Sequence, residues 1–169
     1  MSVTLSTITN EQREAFLNLY NLYLYDLSSF TGEDIMADGK FDPTNTYLYV
    51  EREELHPFFI RQQDRIVGFV LVCSPPFVPA GIDYTIQELF LLKKYRGSNA
   101  AFEAVSLVLQ HFRGKIQVAQ LKNNERAVRF WKKFYQDQRI LFVEEEEMIE
   151  LDGLPGLHAM ISQTFDWSR

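Results

Sequence analysis

Residues 93–104, KKYRGSNAAFEA, combine basic residues, an Arg96-Gly97 pair, small residues and then an apolar helical pattern. That is the outline of an anion cradle. A helix N-terminus leaves about four backbone N–H groups unpaired and carries roughly half a positive charge. A pyrophosphate can accept those hydrogen bonds. Gly97, Ser98, Ala100 and Ala101 are small enough to let it approach the main chain, and Arg96 supplies charge. Asn99 stands where a further glycine would open the cradle more. Asparagine tolerates left-handed backbone angles, and the donors are main-chain groups that survive the substitution. The segment therefore reads as a working cradle. Two alternatives stay open: the Asn99 side chain caps the helix and fills the site, or the segment is an ordinary helix start.

Just upstream, in YTIQELFLL, Glu88 interrupts an otherwise apolar strand. Alternation puts it on one face with Phe90 and Leu92, opposite Gln87, Leu89 and Leu91. A carboxylate there is costly unless it is paired or functional. Burial raises its pKa toward the range of a general base. The competing reading is a glutamate at a sheet rim, partnered by a basic residue. Asn124, ahead of an apolar helical pattern, is a helix N-cap contributing on the order of 1 kcal/mol.

The elements that must position these residues follow from periodicity and punctuation. VTLSTI alternates as a short strand, and Thr9 with Gln12 forms a capping-box signature. The helix it opens carries Phe16, Leu19, Tyr20, Tyr23, Leu24 and Leu27 on one stripe. SSFTGEDIMADGKFDPTN reads as a loop. HPFFIRQQDRIVGFVLVCSPP reads as two strands around QQD, the second nearly all apolar and hence central. YTIQELFLL follows as a strand, then a helix from about Ser98 to His111, stopped by Gly114. KIQVAQL is a strand and NNERAVRFWKKFYQD a helix. RILFVE and LHAMISQTF form a final strand pair joined by the acidic EEEMIELDGLPG. The order β-α-loop-βββ-α-β-α-ββ predicts a mixed α/β fold in one domain, residues 1–169.

The chain's 169 residues are 46% hydrophobic and 14% aromatic, a composition that fits a globular domain. Lys and Arg number 17 against 23 Asp and Glu, a net charge of −6. That balance argues against nucleic acid and anionic membranes as partners. Cys73, the single cysteine, reads as a small core residue, and His56, His111 and His158 lack metal-ligand spacing, so no metal is expected. MSVTLSTITNEQ has no apolar signal-like core, and no apolar run approaches the roughly 20 residues of a membrane span. A cytoplasmic setting is the expectation.

Two segments in this order resemble the GNAT superfamily of N-acetyltransferases. IQELFLLKKYRGSNAA is similar to its acetyl-CoA segment, and QLKNNERAVRFWKKF, with Asn124, Ala127, Phe130 and Trp131, to its second signature. The resemblance spans essentially the whole chain. It implies a single-domain, mostly antiparallel sheet flanked by helices, and acetyl transfer from acetyl-CoA to an amine by direct attack in a ternary complex. It implies Glu88 as base, the Leu91 N–H as oxyanion donor, Phe90 and Leu92 beside the pantetheine arm, and Asn124 at the cofactor. A tyrosine often protonates the leaving thiolate; its motif position holds Trp131, whose indole is no usable acid. Tyr135, four residues on along the same helical face, is the candidate replacement, with Trp131 packing beside the cofactor groove. The acceptor, a small-molecule or peptide amine, would enter near Tyr23, Tyr25, Asp26, Glu33, Asp34 and the run Glu144–Glu147. A homodimer is expected by the same analogy. The alternative function is a non-catalytic CoA-binding or partner-binding module on this fold, suggested by Asn99 and Trp131.

Overall fold

In the computed structural model, residues 2–168 are described. Among them, seven strands form one sheet in the order β1-β2-β3-β4-β5-β7-β6. The strands are β1 (Thr4–Thr7), β2 (Leu55–Gln62), β3 (Arg65–Cys73), β4 (Tyr84–Leu91), β5 (Gly114–Leu121), β6 (Val143–Glu150) and β7 (Leu157–Trp167). Helix α1 (Arg13–Thr31) lies between β1 and β2, α2 (Ala100–His111) between β4 and β5, and α3 (Glu125–Asp137) between β5 and β6. This is the predicted element order and a mostly antiparallel α/β fold. Neighbouring strands pair antiparallel except β4 and β5, which are parallel and so need the α2 crossover.

The sheet separates two apolar clusters. Val70, Val72, Ile86, Leu91 and Val118 pack with Ala104, Val105 and Val108 of α2 and Trp131, Phe134 and Tyr135 of α3. On the other face, Phe59, Phe69, Leu71 and Phe90 pack against Phe16, Leu19, Tyr20 and Tyr23 of α1. The first four residues of the α1 stripe read from the sequence thus close this second cluster, while Leu24 and Leu27, further along it, do not join it. The Gln12 side chain accepts from the Thr9 N–H at 3.1 Å, as the capping signature requires, but the first turn is a 3-10 turn before the helix proper. The helix runs to Thr31, so Ser28, Ser29 and Phe30 belong to it, and Gly32 ends it at φ +78° with its N–H on the Ser28 carbonyl.

Two further boundaries differ from the sequence reading. Helix α2 begins at Ala100, after a 3-10 turn over Lys93–Tyr95. The acidic run is a strand: β6 starts at Val143 and carries Glu144–Glu147 in register with Met160–Gln163 of β7. Local composition gives glutamates poor strand propensity, but an edge strand keeps such side chains in water while its main chain pairs. Lys132 at 2.7 Å from Glu144 and Lys122 at 2.6 Å from Glu146 offset part of the charge.

Candidate active site

Strands β4 and β5 pair over only three positions, Tyr84 with Ile116, Thr85 with Gln117 and Ile86 with Val118. Beyond them Ala119–Leu121 pair only with β7, and Glu88–Leu91 pair only with β3. The two strands therefore diverge and leave facing main-chain edges across a wedge. The divergence starts at a β-bulge: Val72 opposes Ile86 and Leu71 opposes Glu88, so Gln87 is the extra residue. A bulge bends the strand that carries it and re-aims its side chains. Ile86 accordingly packs toward α2, whereas Glu88 shares the α1 face with Leu71 and Phe90.

A second bulge lies beside it. Ile60 opposes Gly68 while Arg61 opposes Ile66, so Val67 is extra in β3. Gly68 opposes Leu91, and a Cβ on Gly68 would stand 1.9 Å from the Phe90 carbonyl oxygen. Glycine is required here because β3 and β4 approach too closely for any side chain.

Glu88 lies on β4 two residues past its last pairing with β5. The Tyr23 hydroxyl makes a short hydrogen bond to its Oε2. Among the described residues its Oε1 has no hydrogen-bond partner, and the enclosed side-chain polar atom left without one is His158 Nε2. One oxygen is thus anchored, and the other has no hydrogen-bond partner among the described residues. Burial lifts the Glu88 carboxyl from 4.5 to about 7, and the Tyr23 hydrogen bond opposes that rise. Among the described residues no basic side chain is paired with it, as the rim-glutamate reading would require. Around it, burial and then Glu88 itself push the Tyr20 and Tyr23 phenols upward, and Tyr49, pushed up by burial, shares its hydroxyl with the Cys73 thiol at 3.2 Å. Tyr20, Tyr49 and Phe69 of this cluster were not singled out from the sequence. The α1 stripe contained Tyr20, but the partner segment Thr46–Val50 lies in a stretch without periodicity.

Leu91 follows on the same strand. The Leu92 N–H bonds the Val67 carbonyl of β3 at 2.8 Å. Main-chain groups of successive strand residues point to opposite sides, so the Leu91 N–H and C=O face the wedge. The Leu91 carbonyl accepts from Arg96 Nε at 2.8 Å. Phe90 is buried beneath α1, with its ring 5.6 Å from that of Tyr23, and Leu92 packs into the same cluster. Both contribute side chains to the core and main chain to the strand end.

The cradle residues come together at the start of α2. Gly97 has φ +78°, and nothing lies within 4 Å of where its Cβ would be. The Asn99 side chain makes no cap to its helix; it turns to Glu103 at 3.4 Å. The space over the first-turn N–H groups is therefore not filled by Asn99, and the residues present fit a phosphate-bearing ligand. Ser98 Oγ bonds the Tyr95 carbonyl at 2.8 Å and accepts from the Ala100 N–H at 3.3 Å, while Ala100 and Ala101 pack toward the core. Arg96 departs from expectation: its guanidinium pairs with Asp26 of α1 and lies over the Phe90 ring at 5.4 Å. It ties α1 to the end of β4 rather than extending over the cradle, which leaves Asp26 paired as well.

On α3, Asn124 accepts from the Ala127 N–H at 3.3 Å and is an N-cap. Trp131 is 5% exposed and packs against Phe130, Phe134 and Tyr135. The expectation for Tyr135 is corrected: it is fully buried, its hydroxyl donates to Gln163 Oε1 at 3.0 Å, and its ring packs on Phe142 and Phe165. Gln163 in turn exchanges hydrogen bonds with Gln120 at 2.8 and 3.0 Å. The face shared with Trp131 is the core face, so position i+4 carried Tyr135 inward and away from the Glu88 face of the sheet. Glu144 and Glu146 likewise turn to lysines of α3 and the loop before it, away from that face. Tyr25, 68% exposed, lines a surface depression with Glu33, Asp34 and Phe41.

With the wedge and the cradle in place, comparisons decide the lineage. The acetyltransferase (GNAT) family model matches residues 12–135. The chain belongs to the GNAT acetyltransferase family. Solved GNAT-fold structures agree across almost the full length. An acetyltransferase of Thermus thermophilus is 13% identical with a TM-score of 0.62, covering 98% of each chain. The smu.2055 protein of Streptococcus mutans is 18% identical at 0.68, covering 98% of this chain and 99% of that one. A GNAT-family acetyltransferase of Bacillus cereus is 11% identical at 0.62, covering 99% of both. At these identities the likeness is one of fold. Among curated protein sequences, none matches.

Proposed function

We propose that this GNAT protein transfers an acetyl group from acetyl-CoA to an amine, on a small molecule or peptide, with Glu88 as general base. The observation that carries this is the Glu88 carboxylate on β4 where it parts from β5, with one oxygen held by Tyr23 and no partner on the other among the described residues. Main-chain N–H groups of residues 97–101, apart from the Ala100 N–H on Ser98 Oγ, would hold the pyrophosphate, and the co-substrate supplies an activated acyl thioester. Glu88 Oε1 takes a proton from the ammonium form of the acceptor. A carboxylate near pH 7 is matched to that task at neutral pH. The amine nitrogen forms its bond to the thioester carbonyl carbon, and the Leu91 N–H faces the oxyanion that develops. The C–S bond then breaks, and the nitrogen gives its second proton to water as the neutral amide forms. Trp131 offers no acidic proton and Tyr135 is committed to Gln163, so the thiolate takes its proton from solvent.

Two measurements test the reading. Acetyl-CoA should raise the melting temperature, because a ligand of the folded state alone must stabilise it. Thiol release with a panel of primary amines should fall roughly 10²–10⁴-fold in kcat in Glu88→Gln while the thermal shift persists. Unchanged turnover in that variant would falsify the assignment of the base. Trp131 at the position of the usual acid, with Tyr135 bonded to Gln163, favours a second reading: a CoA-binding module without turnover. That module would show the thermal shift and release no thiol with any amine.

A further inference from the structure

We propose that Tyr23 is the positioning residue for Glu88: its phenol anchors one carboxylate oxygen, leaves the other facing the acceptor, and stabilises the ionised form. The inference rests on Glu88 acting as the base. Its geometry is local. Tyr23 stands on α1 and Glu88 on β4, and the hydrogen bond between them joins the helix to the strand at the wedge. The Tyr23 ring is fixed from three sides, by Tyr20 and Phe69 at 5.5 Å each and by Phe90 at 5.6 Å. A phenol so held has one place for its hydroxyl, and the carboxylate is there.

The polar and charged neighbours on this face leave that role to Tyr23. Helix α1 contributes Tyr20 and Tyr23, the Thr46–Val50 turn contributes Tyr49, and β3 contributes Cys73. The Tyr49 hydroxyl is engaged with the Cys73 thiol. Arg96, over the outer side of Phe90, is held by Asp26 and the Leu91 carbonyl. Among the described residues no cation is paired with Glu88, and the Tyr23 hydroxyl is the group bonded to its charge. Burial and the Glu88 charge push the Tyr23 phenol well above its ordinary value. It therefore keeps its proton while Glu88 works. The acceptor's proton passes to Glu88 Oε1 and later to water, and the phenol acts through the carboxylate without reacting itself.

A hydrogen bond from a neutral donor to a charged group shifts ionisation by about 1–2 pH units. Tyr23→Phe keeps the ring packing and deletes the donor. In protein labelled with ¹³C at glutamate carboxyls, with the Glu88 signal assigned through Glu88→Gln, its titration should move up by that amount. Tyr20→Phe, which removes a neighbouring hydroxyl not bonded to Glu88, should leave it in place. Turnover with an active amine, taken as the variant-to-wild-type ratio so that the amine's own titration cancels, should be about 5–50-fold low at pH 7 and return toward unity above pH 9. The opposite sign is available in a variant of nearly the same shape: 3,5-difluorotyrosine introduced at position 23 is a stronger donor and should move the Glu88 titration down. An unmoved Glu88 signal in both variants overturns the proposal. A moved signal with a pH-independent turnover ratio upholds the Tyr23–Glu88 coupling and instead removes Glu88 as the base.

Discussion

Gly68→Ala perturbs the place where fold and site are joined. The added Cβ would lie 1.9 Å from the Phe90 carbonyl oxygen, 2.9 Å from its carbon and 3.0 Å from the Leu91 Cα, all main-chain atoms that no rotamer change can move. Relief requires β3 and β4 to part by about 1 Å or more, since Cβ contacts under 3.0 Å are essentially never made. The Leu92 N–H to Val67 carbonyl bond, now 2.8 Å, would stretch beyond hydrogen-bonding range. Overpacking costs about 1–3 kcal/mol and each lost hydrogen bond about 0.5–1.5 kcal/mol, so the variant should lose about 2–5 kcal/mol. At 169 residues this lowers Tm by roughly 5–20 °C. Differential scanning fluorimetry or thermal circular dichroism reads the shift. Because the same separation moves the Leu91 N–H, turnover of the folded variant should drop by roughly 10²-fold at a temperature where it remains folded. An alanine variant with wild-type Tm would refute the argument, since it would mean that the strands part at no cost.

Glu88→Gln should stabilise the protein at alkaline pH while slowing turnover. Glu88 rises from 4.5 unfolded to about 7 folded, so its contribution is full below pH 4.5 and is lost as pH climbs through 7. Glutamine does not ionise, so denaturant titrations should show it gaining up to about 3 kcal/mol over wild type near pH 8 and no such gain near pH 4. Tyr135→Phe should cost about 1 kcal/mol through the lost bond to Gln163 and leave kcat unchanged at temperatures where the protein is folded; a kinetic defect at unaltered stability would restore it as an acid. Gly97→Ala, which forces an L side chain to φ +78°, should cost about 1–2 kcal/mol and weaken acetyl-CoA binding more than it changes kcat, as calorimetry and initial rates would separate.

The sequence by itself determined the elements and their order, because periodicity is a local property. The α1 stripe from Phe16 to Tyr23, the apolar β3 run and the capping residues Gln12 and Asn124 all occupy the places their spacing assigns. Glu88 and the small-residue start of α2 were legible for the same reason: a carboxylate in an apolar strand and a cluster of small residues are visible one segment at a time. Tertiary structure alone decided what those residues face. The bulges at Val67 and Gln87 exist only in strand pairing, and they set where β4 leaves β5 and which face Glu88 takes. The Tyr23–Glu88 bond joins residues 65 apart, the Arg96–Asp26 pair joins residues 70 apart, and neither spacing leaves a trace in either segment. Tyr135 shows the limit most plainly. Helical spacing put it on the face of Trp131 correctly, but whether that face meets a cofactor or a core is fixed by β7, which brings Gln163 to its hydroxyl. The acidic run Glu144–Glu147 became a strand for the related reason that hydrogen bonding to β7 outweighs local propensity at an edge where charge stays in water.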